Sequence, residues 1–320
     1  MINSIRASQG FTDKAILRDE TVRVEQGVNS NLNGFMFFKG YKSSKYPRVV
    51  VDTEYFFLYG TDHSSPTAAG RVAWGKGNDP GLSDFIEQGV IINEFQSETP
   101  FLVQVEPSEC VDDELLHLFY HTFDGDPNNG VGIQQTHLLT ASGGVLHEIN
   151  WTKRIAPLGR LSDEDHTGYL QVYKKGISDY VGVHLVKSGV PPKIRFSYST
   201  DCRSWTRGSD FNLLLDAPIG LQWKPQHGLF FDKYGQKWYL GTAEPEGGSP
   251  DIYSLDKTLV LCKVNSDFQI IEHCETLLDG GLRRLYEATV EGDRLHVYIQ
   301  MPINGVNYGY INTEDLINYL

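Results

Sequence analysis

The chain has 320 residues and a formal net charge of -13, from 28 Lys and Arg against 41 Asp and Glu. This negative charge disfavours any partner whose affinity comes from neutralising phosphates, so nucleic acid is not an expected ligand. The 40% hydrophobic and 12% aromatic content is sufficient for a substantial core and far from the composition of disordered chains.

The sequence predicts a soluble, cytoplasmic protein that does not bind membranes. No apolar run approaches the roughly 18 to 20 residues needed to cross a bilayer, and the amino terminus has no hydrophobic signal-peptide core. The four cysteines lack C-x-x-C spacing, and we expect buried free thiols at Cys110, Cys202, Cys262 and Cys274. Cys262 and Cys274 could face each other across a hairpin, although a disulfide there would be surprising without an export signal.

Short segments rich in Val, Tyr, Phe and Leu recur along the chain, separated by Gly, Pro, Asp and Ser, and no long stretch keeps a 3.6-residue apolar period. This pattern predicts an almost entirely β protein. Five strong strands repeat one element, and each follows another short strand across a polar turn. They are YFFLYG (55–60), LLHLFYH (115–121), YVGVHLV (180–186), KWYLG (237–241) and LHVYIQ (295–300).

Four strands per unit, repeated at intervals of roughly 50 to 70 residues, are typical of β-propeller blades. The sequence therefore predicts a single five-bladed β-propeller domain over 1–320, with a pair of β-sandwiches as the alternative. The predicted blades are 45–95, 96–160, 161–220, 221–280 and 281–320, and the last lacks one strand. We expect the segment 1–44, through 22–26 or 35–40, to supply that strand and close the ring.

The candidate site follows from this repeat. In an antiparallel blade the first strand starts on the same face as the loop between the second and third strands. Four predicted first strands begin with an ionisable residue, namely Glu98, His166, His227 and Glu287, and the first blade has Lys45, Tyr46 and Pro47 near this place. The second-to-third-strand loops are expected to add Asp62, His63, His121, Asp124, Asp126, Glu244, Glu246 and Asp251. We expect these residues to surround a central channel.

A family resemblance is visible around Glu98. SETPFLVQV (97–105) followed by LLHLFYHTF (115–123) resembles the "E-x-P, then aromatic-rich strand" passage of the five-bladed propeller glycoside hydrolases, a group that includes arabinanases, xylosidases, invertases and phosphorylase relatives. The turns SDF (83–85) and STDCRSW (199–205) are similar to the outer hairpins of that group. The resemblance implies a glycoside hydrolase that acts on an oligosaccharide or polysaccharide.

The resemblance also implies catalytic roles. A Glu at the E-x-P position is the general acid of that group, which makes Glu98 the acid candidate. The family has an Asp at the start of the first blade as base or nucleophile, and here KYP places Tyr46 where that Asp is expected. The second carboxylate is then expected from Glu287, Asp62 or Asp124, and a Tyr nucleophile is a further possibility known from sialidases.

The remaining site candidates concern binding. His63, His121, His166, His227 and Tyr46 are candidate substrate contacts, and Trp223 is the candidate for stacking on a sugar ring, whereas Trp205 and Trp238 are expected to pack between sheets. No cofactor is required by this chemistry. His166 and His227 beside two glutamates also permit a divalent cation, with calcium as the candidate, because imidazole and carboxylate are ordinary metal ligands.

Two functions without catalysis stay open at this point. A carbohydrate-binding propeller that has lost catalysis is favoured by Tyr46 in place of Asp. A structural or adhesion module of a phage or surface-polysaccharide system is the other, because propellers host many functions.

Overall fold

The computed structural model describes β-strands and short connections between residues 15 and 312. The described ranges are 15–22, 36–42, 55–60, 72–78, 86–94, 97–126, 131–143, 147–154, 158, 166–187, 193–211, 221–233, 236–245, 257–265, 271–282, 284–291, 294–300 and 306–312. The regular secondary structure in these ranges consists of strands alone, which confirms the all-β prediction. Across the same ranges, no helix has the length and apolarity to span a membrane.

The chain forms two compact units, Glu25–Phe211 and a second one that combines Met1–Val24 with Asn212–Leu320. The first sheet of the Glu25–Phe211 unit is antiparallel, in the order β2-β3-β4-β5. Its strands are β2 (Met36–Lys42), β3 (Tyr55–Gly60), β4 (Val72–Gly77) and β5 (Ile86–Ile92). This sheet begins at Met36, before the predicted boundary at 45, and the segment 35–40 forms its first strand rather than a strand that closes the ring.

The second and third sheets of this unit follow the predicted four-strand pattern. The second contains β6 (Glu98–Gln104), β7 (Leu116–Asp126), β8 (Val131–Ala141) and β9 (Thr152–Arg154). The third contains β10 (His166–Gly176), β11 (Asp179–Lys187), β12 (Lys193–Ser199) and β13 (Thr206–Phe211). A parallel bridge between Gln134 of β8 and His166 of β10 joins the two sheets.

The unit that contains both chain ends has two antiparallel four-stranded sheets. One contains β14 (Leu221–Lys233), β15 (Gln236–Pro245), β16 (Lys257–Val264) and β17 (Ile271–Leu282). The other contains β18 (Arg284–Glu291), β19 (Arg294–Gln300) and β20 (Val306–Asn312), with β1 (Ala15–Val22) as its fourth strand. β1 pairs antiparallel with β20, so the strand that fills this place is Ala15–Val22, which lies within the predicted region 1–44 but shares only Val22 with the predicted segment 22–26.

The hydrophobic runs of the sequence are explained by sheets that are covered on both faces. In the strand β7, Leu118 and Tyr120 pack with Trp74 of β4, while Phe119, on the opposite face, packs with Leu170 of β10. Side chains alternate between the two faces of a strand, so a strand buried on both sides is apolar at successive positions. The second sheet therefore lies between two layers of core.

One cysteine expectation was wrong. Cys262 is disulfide-bonded, and the residue directly opposite it in the β16–β17 ladder is Cys274. Cys110 and Cys202 are free, as expected, and Cys202 is buried. The β16–β17 ladder places Cys262 and Cys274 directly opposite each other, which brings the two sulfur atoms within reach of a disulfide.

Candidate active site

The amino ends of β6 and β10 bring two of the predicted site residues to one edge of the joined second and third sheets. Glu98 is the first residue of β6 and lies opposite His121 of β7, which in turn lies opposite Thr136 of β8. His166 is the first residue of β10 and lies opposite Gln134, on the same strand β8. The described backbone therefore places Glu98 and His166 at neighbouring strand starts, as the repeat predicted.

His121 is the best-defined side chain at this edge. It is fully buried, and its Nδ1 atom is hydrogen-bonded to the Thr99 hydroxyl at 2.5 Å. Its ring lies against the Tyr169 ring, with centroids 5.1 Å apart and planes tilted by 46°. The hydroxyl of Thr136 donates to the carbonyl of Thr167 at 3.3 Å, which adds a second polar link to the start of β10.

The backbone at these strand starts departs from regular β geometry. Thr99 has a φ of 52° and Tyr169 a φ of 56°, in the left-handed region that side chains rarely adopt. Thr99 is an unfavourable residue there, because it is β-branched and precedes Pro100, which restricts its backbone to extended conformations. Strained residues of this kind persist where the surrounding structure holds them, and they cluster at functional sites.

A shift in register accompanies the strain, and it recurs in the first strand of all five sheets. The ladder to the second strand shifts between Phe37 and Lys39, Glu98 and Phe101, Gly168 and Gln171, Lys224 and Leu229, and Leu285 and Glu287. Such β-bulges redirect the chain and are common beside active sites.

Two buried hydroxyls lie directly beside the predicted site residues. Ser97 precedes Glu98 and Thr167 follows His166, and both side chains are fully buried. Within the part of the chain that the structure describes, neither hydroxyl has a hydrogen-bond partner. Buried polar groups are normally paired, so unsatisfied ones at a strained strand start are further signs of a functional region.

Glu287, His227 and Trp223 belong to the other unit, where Glu287 and His227 stand at positions that differ from the prediction. Glu287 is inside β18, where it lies opposite Tyr298 after the register shift, and is not the first residue of its strand. His227 is inside β14, within the shift between Lys224 and Leu229, and Trp223 of the same strand lies opposite Ala243. For these three residues, as for Glu98, the structure describes the backbone alone.

The remaining candidates divide into two groups. The first group lies outside the described residues and consists of Tyr46, Asp62, His63, Glu246 and Asp251. The second group lies within strands, and not in loops between the second and third strands as predicted: His121, Asp124 and Asp126 in β7, and Glu244 in β15. Because β2 is the first strand of its sheet, Tyr46 follows that strand and does not stand at its start.

The cation expected between His166 and His227 stays a prediction. Among the described residues, no group of three or more His, Cys, Asp or Glu side chains is arranged to hold a metal ion. The side chains of His166 and His227 are outside this description.

The tryptophans expected in the core are found there. Trp238 is buried, and the Trp205 ring contacts Phe119 edge-on with centroids 6.1 Å apart. A Cβ atom at Gly182 would lie 2.8 Å from the Trp205 ring, so this glycine makes room for the tryptophan. Trp74 is also buried and donates a hydrogen bond from its Nε1 to His147 at 3.1 Å.

The outer turn at 199–205 is organised around Asp201. Its Oδ1 atom accepts hydrogen bonds from the backbone N–H groups of Ser204 at 2.7 Å and Arg203 at 2.8 Å, and from the Ser199 hydroxyl at 2.9 Å. Burial alone would raise the pKa of Asp201, but these donors outweigh it and hold the pKa below its usual value. The serine, aspartate and tryptophan of this motif thus shape a structural hairpin.

Thr99, Thr167 and Tyr169, at the amino ends of β6 and β10, are not among the site residues predicted from the sequence. Thr99 is the middle residue of the E-T-P motif, and Tyr169 lies three residues after His166, which the repeat predicted as a strand start equivalent to Glu98. The alignment of the strand starts was therefore the available signal, but the contacts of these residues depend on the register shift.

No protein-family model and no curated protein matches this sequence. Solved structures do match. A β-1,2-mannobiose phosphorylase from Listeria innocua, in complex with β-1,2-mannobiose, is 12% identical with a TM-score of 0.60, over 96% of this chain and 99% of that one. A putative glycosidase from Bacteroides thetaiotaomicron is 12% identical with a TM-score of 0.57, over 97% of each chain.

A β-fructofuranosidase mutant from Bombyx mori, in complex with sucrose, is 13% identical with a TM-score of 0.52. The match covers 85% of this chain and spans 61% of the length of that enzyme. The predicted fold is confirmed: the chain has the five-bladed β-propeller fold of these glycoside hydrolases and phosphorylases.

Proposed function

We propose that the protein acts on carbohydrates as a glycoside hydrolase and that Glu98 is its general acid. The observation that carries this proposal is the place of Glu98, which opens the strand β6 beside buried His121 and a strained Thr99 in a fold shared with sugar-processing enzymes. A carboxylic acid at this position would protonate the glycosidic oxygen as the bond to the leaving group breaks.

A second carboxylate is needed on the other side of the bond. It would lie about 5 to 5.5 Å from the first for a retaining reaction, or about 6.5 to 9.5 Å for an inverting one. Glu287 and Asp62 are our candidates. Glu287 follows the register shift of β18, as Glu98 adjoins that of β6, which supports it as an equivalent position in another sheet.

The start of the first sheet bears on this choice. β2 begins at Met36, so the Asp implied by the family resemblance is expected just before that residue and not at Tyr46. The residues 28–35 read VNSNLNGF and contain no carboxylate. This observation requires the second carboxylate to come from elsewhere, and it also favours the rival function, a carbohydrate-binding propeller without catalysis.

The proposed partner is an oligosaccharide or polysaccharide. Sucrose and β-1,2-mannobiose are bound in two of the similar structures, which supports a sugar ligand. His63, His166, His227 and Tyr46 are proposed substrate contacts, with Trp223 as a stacking platform. His121 is fully buried, so it would act from behind the surface that meets the sugar. We propose that the reaction requires no cofactor. A separate proposal is that a divalent cation binds at His166 and His227, with calcium as the candidate.

Two broader predictions accompany this function. We propose that residues 1–320 form one propeller domain that the amino-terminal segment closes, and the pairing of β1 with β20 supports this. Cytoplasmic location stays a prediction from the sequence. The disulfide at Cys262 argues instead for an oxidising compartment, because such bonds persist mainly there.

The test is a screen of oligosaccharides and aryl glycosides, followed by Glu98→Gln on any substrate found. This change keeps the shape and removes the transferable proton, so we expect kcat to fall by about 10² to 10⁴ while binding is retained. Glu106→Gln, an exposed change in the connection after β6, is the control and should leave kcat unaltered. Unchanged kcat in Glu98→Gln would exclude the proposed acid.

The screen also separates the rival functions. Sugar binding without turnover, weakened by Trp223→Ala, would favour the binding propeller. Neither binding nor turnover across a broad glycan panel would favour a structural or adhesion module.

A further inference from the structure

The buried contacts of His121 form a connected group with Thr99 and Tyr169, behind the backbone that carries Glu98. His121 lies directly opposite Glu98 in the β6–β7 ladder, and its hydrogen bond reaches the next residue, Thr99, at 2.5 Å. The ring contact with Tyr169 extends the group to β10, with 5.1 Å between centroids. These contacts join the starts of two neighbouring first strands.

The strained backbone of Thr99 and Tyr169 indicates that this group does more than fill the core. Thr99 and Tyr169 are both held at positive φ, and both contact the same imidazole. The φ angle of Thr99 sets the turn between Glu98 and the rest of β6, since the ladder is interrupted from Glu98 to Phe101. A regular strand would direct residue 98 differently, so the contacts that hold Thr99 in this conformation also fix the backbone of Glu98.

We propose that His121 is a positioning residue for Glu98, which it holds through its hydrogen bond to Thr99 while its contact with Tyr169 fixes the ring. This inference rests on the proposed function, in which Glu98 is the acid. Neither His121 nor Thr99 transfers a proton to substrate in this account. Their effect is to keep the backbone of Glu98 at one place, and a displacement of about 1 Å at a catalytic group can cost about a hundredfold in rate.

The test compares variants on the two sides of the Thr99–His121 hydrogen bond. Thr99→Val keeps the β-branched shape and removes the hydroxyl, whereas Thr99→Ser keeps the hydroxyl. His121→Phe keeps a ring for Tyr169 and removes both ring nitrogens, Nδ1 included. We expect Thr99→Val and His121→Phe to lower kcat about tenfold to a hundredfold with little change in KM, and to displace the alkaline limb of the pH–rate profile. Thr99→Ser should stay close to the unmodified protein.

Two matched controls separate positioning from stability. Thr140→Val removes another fully buried threonine hydroxyl, from β8, and His184→Phe replaces a buried histidine in the second strand of the next sheet. Both changes are expected to lower the melting temperature without displacing the alkaline limb. If all four variants lose activity in proportion to their stability, the contacts are structural and the proposal is overturned.

A readout without turnover keeps this inference distinct from the proposed function. Carbon-13 NMR of protein labelled at the glutamate carboxyl follows the titration of Glu98, whose signal is identified by its loss in Glu98→Gln. We expect Thr99→Val and His121→Phe to displace that titration by about half a pH unit or more, and the controls to leave it in place. If no substrate is turned over but the titration moves, the proposed function fails and the positioning stands. An unmoved titration in both variants overturns the positioning, whatever the activity.

Discussion

The two ends of β6 and β10 show opposite ways of burying polar groups. At the amino ends, Thr99 and Tyr169 are strained around His121, and Thr167 has a buried hydroxyl with no partner among the described residues. At the carboxyl ends, the carboxylate of Glu109 accepts hydrogen bonds from three donors. The two ends therefore differ in pairing, with a buried hydroxyl that has no partner among the described residues at one end and a carboxylate with three donors at the other.

The polar contacts at the carboxyl ends of β6 and β10 converge on the carboxylate of Glu109. Glu109, in the connection after β6, accepts from Lys174 Nζ at 2.6 Å, the Tyr180 hydroxyl at 2.6 Å and the backbone N–H of Ser178 at 2.5 Å. Burial alone would raise the pKa of Glu109, but hydrogen bonds from Lys174, Tyr180 and Ser178 outweigh it and hold the pKa at about 2. A buried charge with three hydrogen-bond donors at this end can offset the cost of the strained backbone at Thr99 and Tyr169.

Among changes that test the difference between the two ends, Glu109→Ala is expected to have the largest effect on stability. The change leaves the buried Tyr180 hydroxyl and the Ser178 N–H without their acceptor, so the free energy of unfolding should fall by about 3 kcal/mol. Denaturant unfolding measures this loss, and kcat per folded molecule should stay unchanged. A large fall in kcat with stability intact would mean that the two ends have no such division of roles.

Lowering the pH is expected to reduce the free energy of unfolding by less than Glu109→Ala does. The pKa of Glu109 lies at about 2 in the folded protein, below its ordinary value of 4.5, so its contribution is fully present above about pH 4.5 and is lost as the pH falls toward 2. Stability measured across this window should decline less steeply in Glu109→Gln than in the unmodified protein. Parallel curves for the two proteins would contradict the assigned role.

Much of the scaffold could be predicted from the sequence, because its signals are local. The five repeated apolar segments all lie in the second strands of sheets, and the motif at 97–105 identified Glu98 as a strand start. The first sheet was placed too late because 35–40 and 48–51 both read as strands, and local composition does not say which one pairs with Tyr55–Gly60. The structure pairs the earlier segment.

The hydrogen bonds and strained residues at the two ends of β6 and β10 depend on contacts between residues far apart in the sequence, which local sequence patterns do not predict. Glu109 and Lys174 are 65 residues apart, and their pairing follows only from the packing of neighbouring sheets. The strain at Thr99 likewise arises from a register shift, since threonine before proline would by itself predict an extended strand. The spacing of the repeat predicted that Glu98 begins a strand. The contacts of the neighbouring Thr99 with His121 could be recognised only from the three-dimensional fold.

The central claim, that Glu98 is the general acid, is tested most directly by the dependence of Glu98→Gln on the leaving group. An acid is needed when the departing oxygen is basic and is dispensable when the leaving group is a strongly activated phenol. We expect Glu98→Gln to lower kcat/KM by about 10² to 10⁴ on an unactivated glycoside and only a few-fold on its dinitrophenyl counterpart. An equal loss on both substrates would contradict the assignment of Glu98 as the acid.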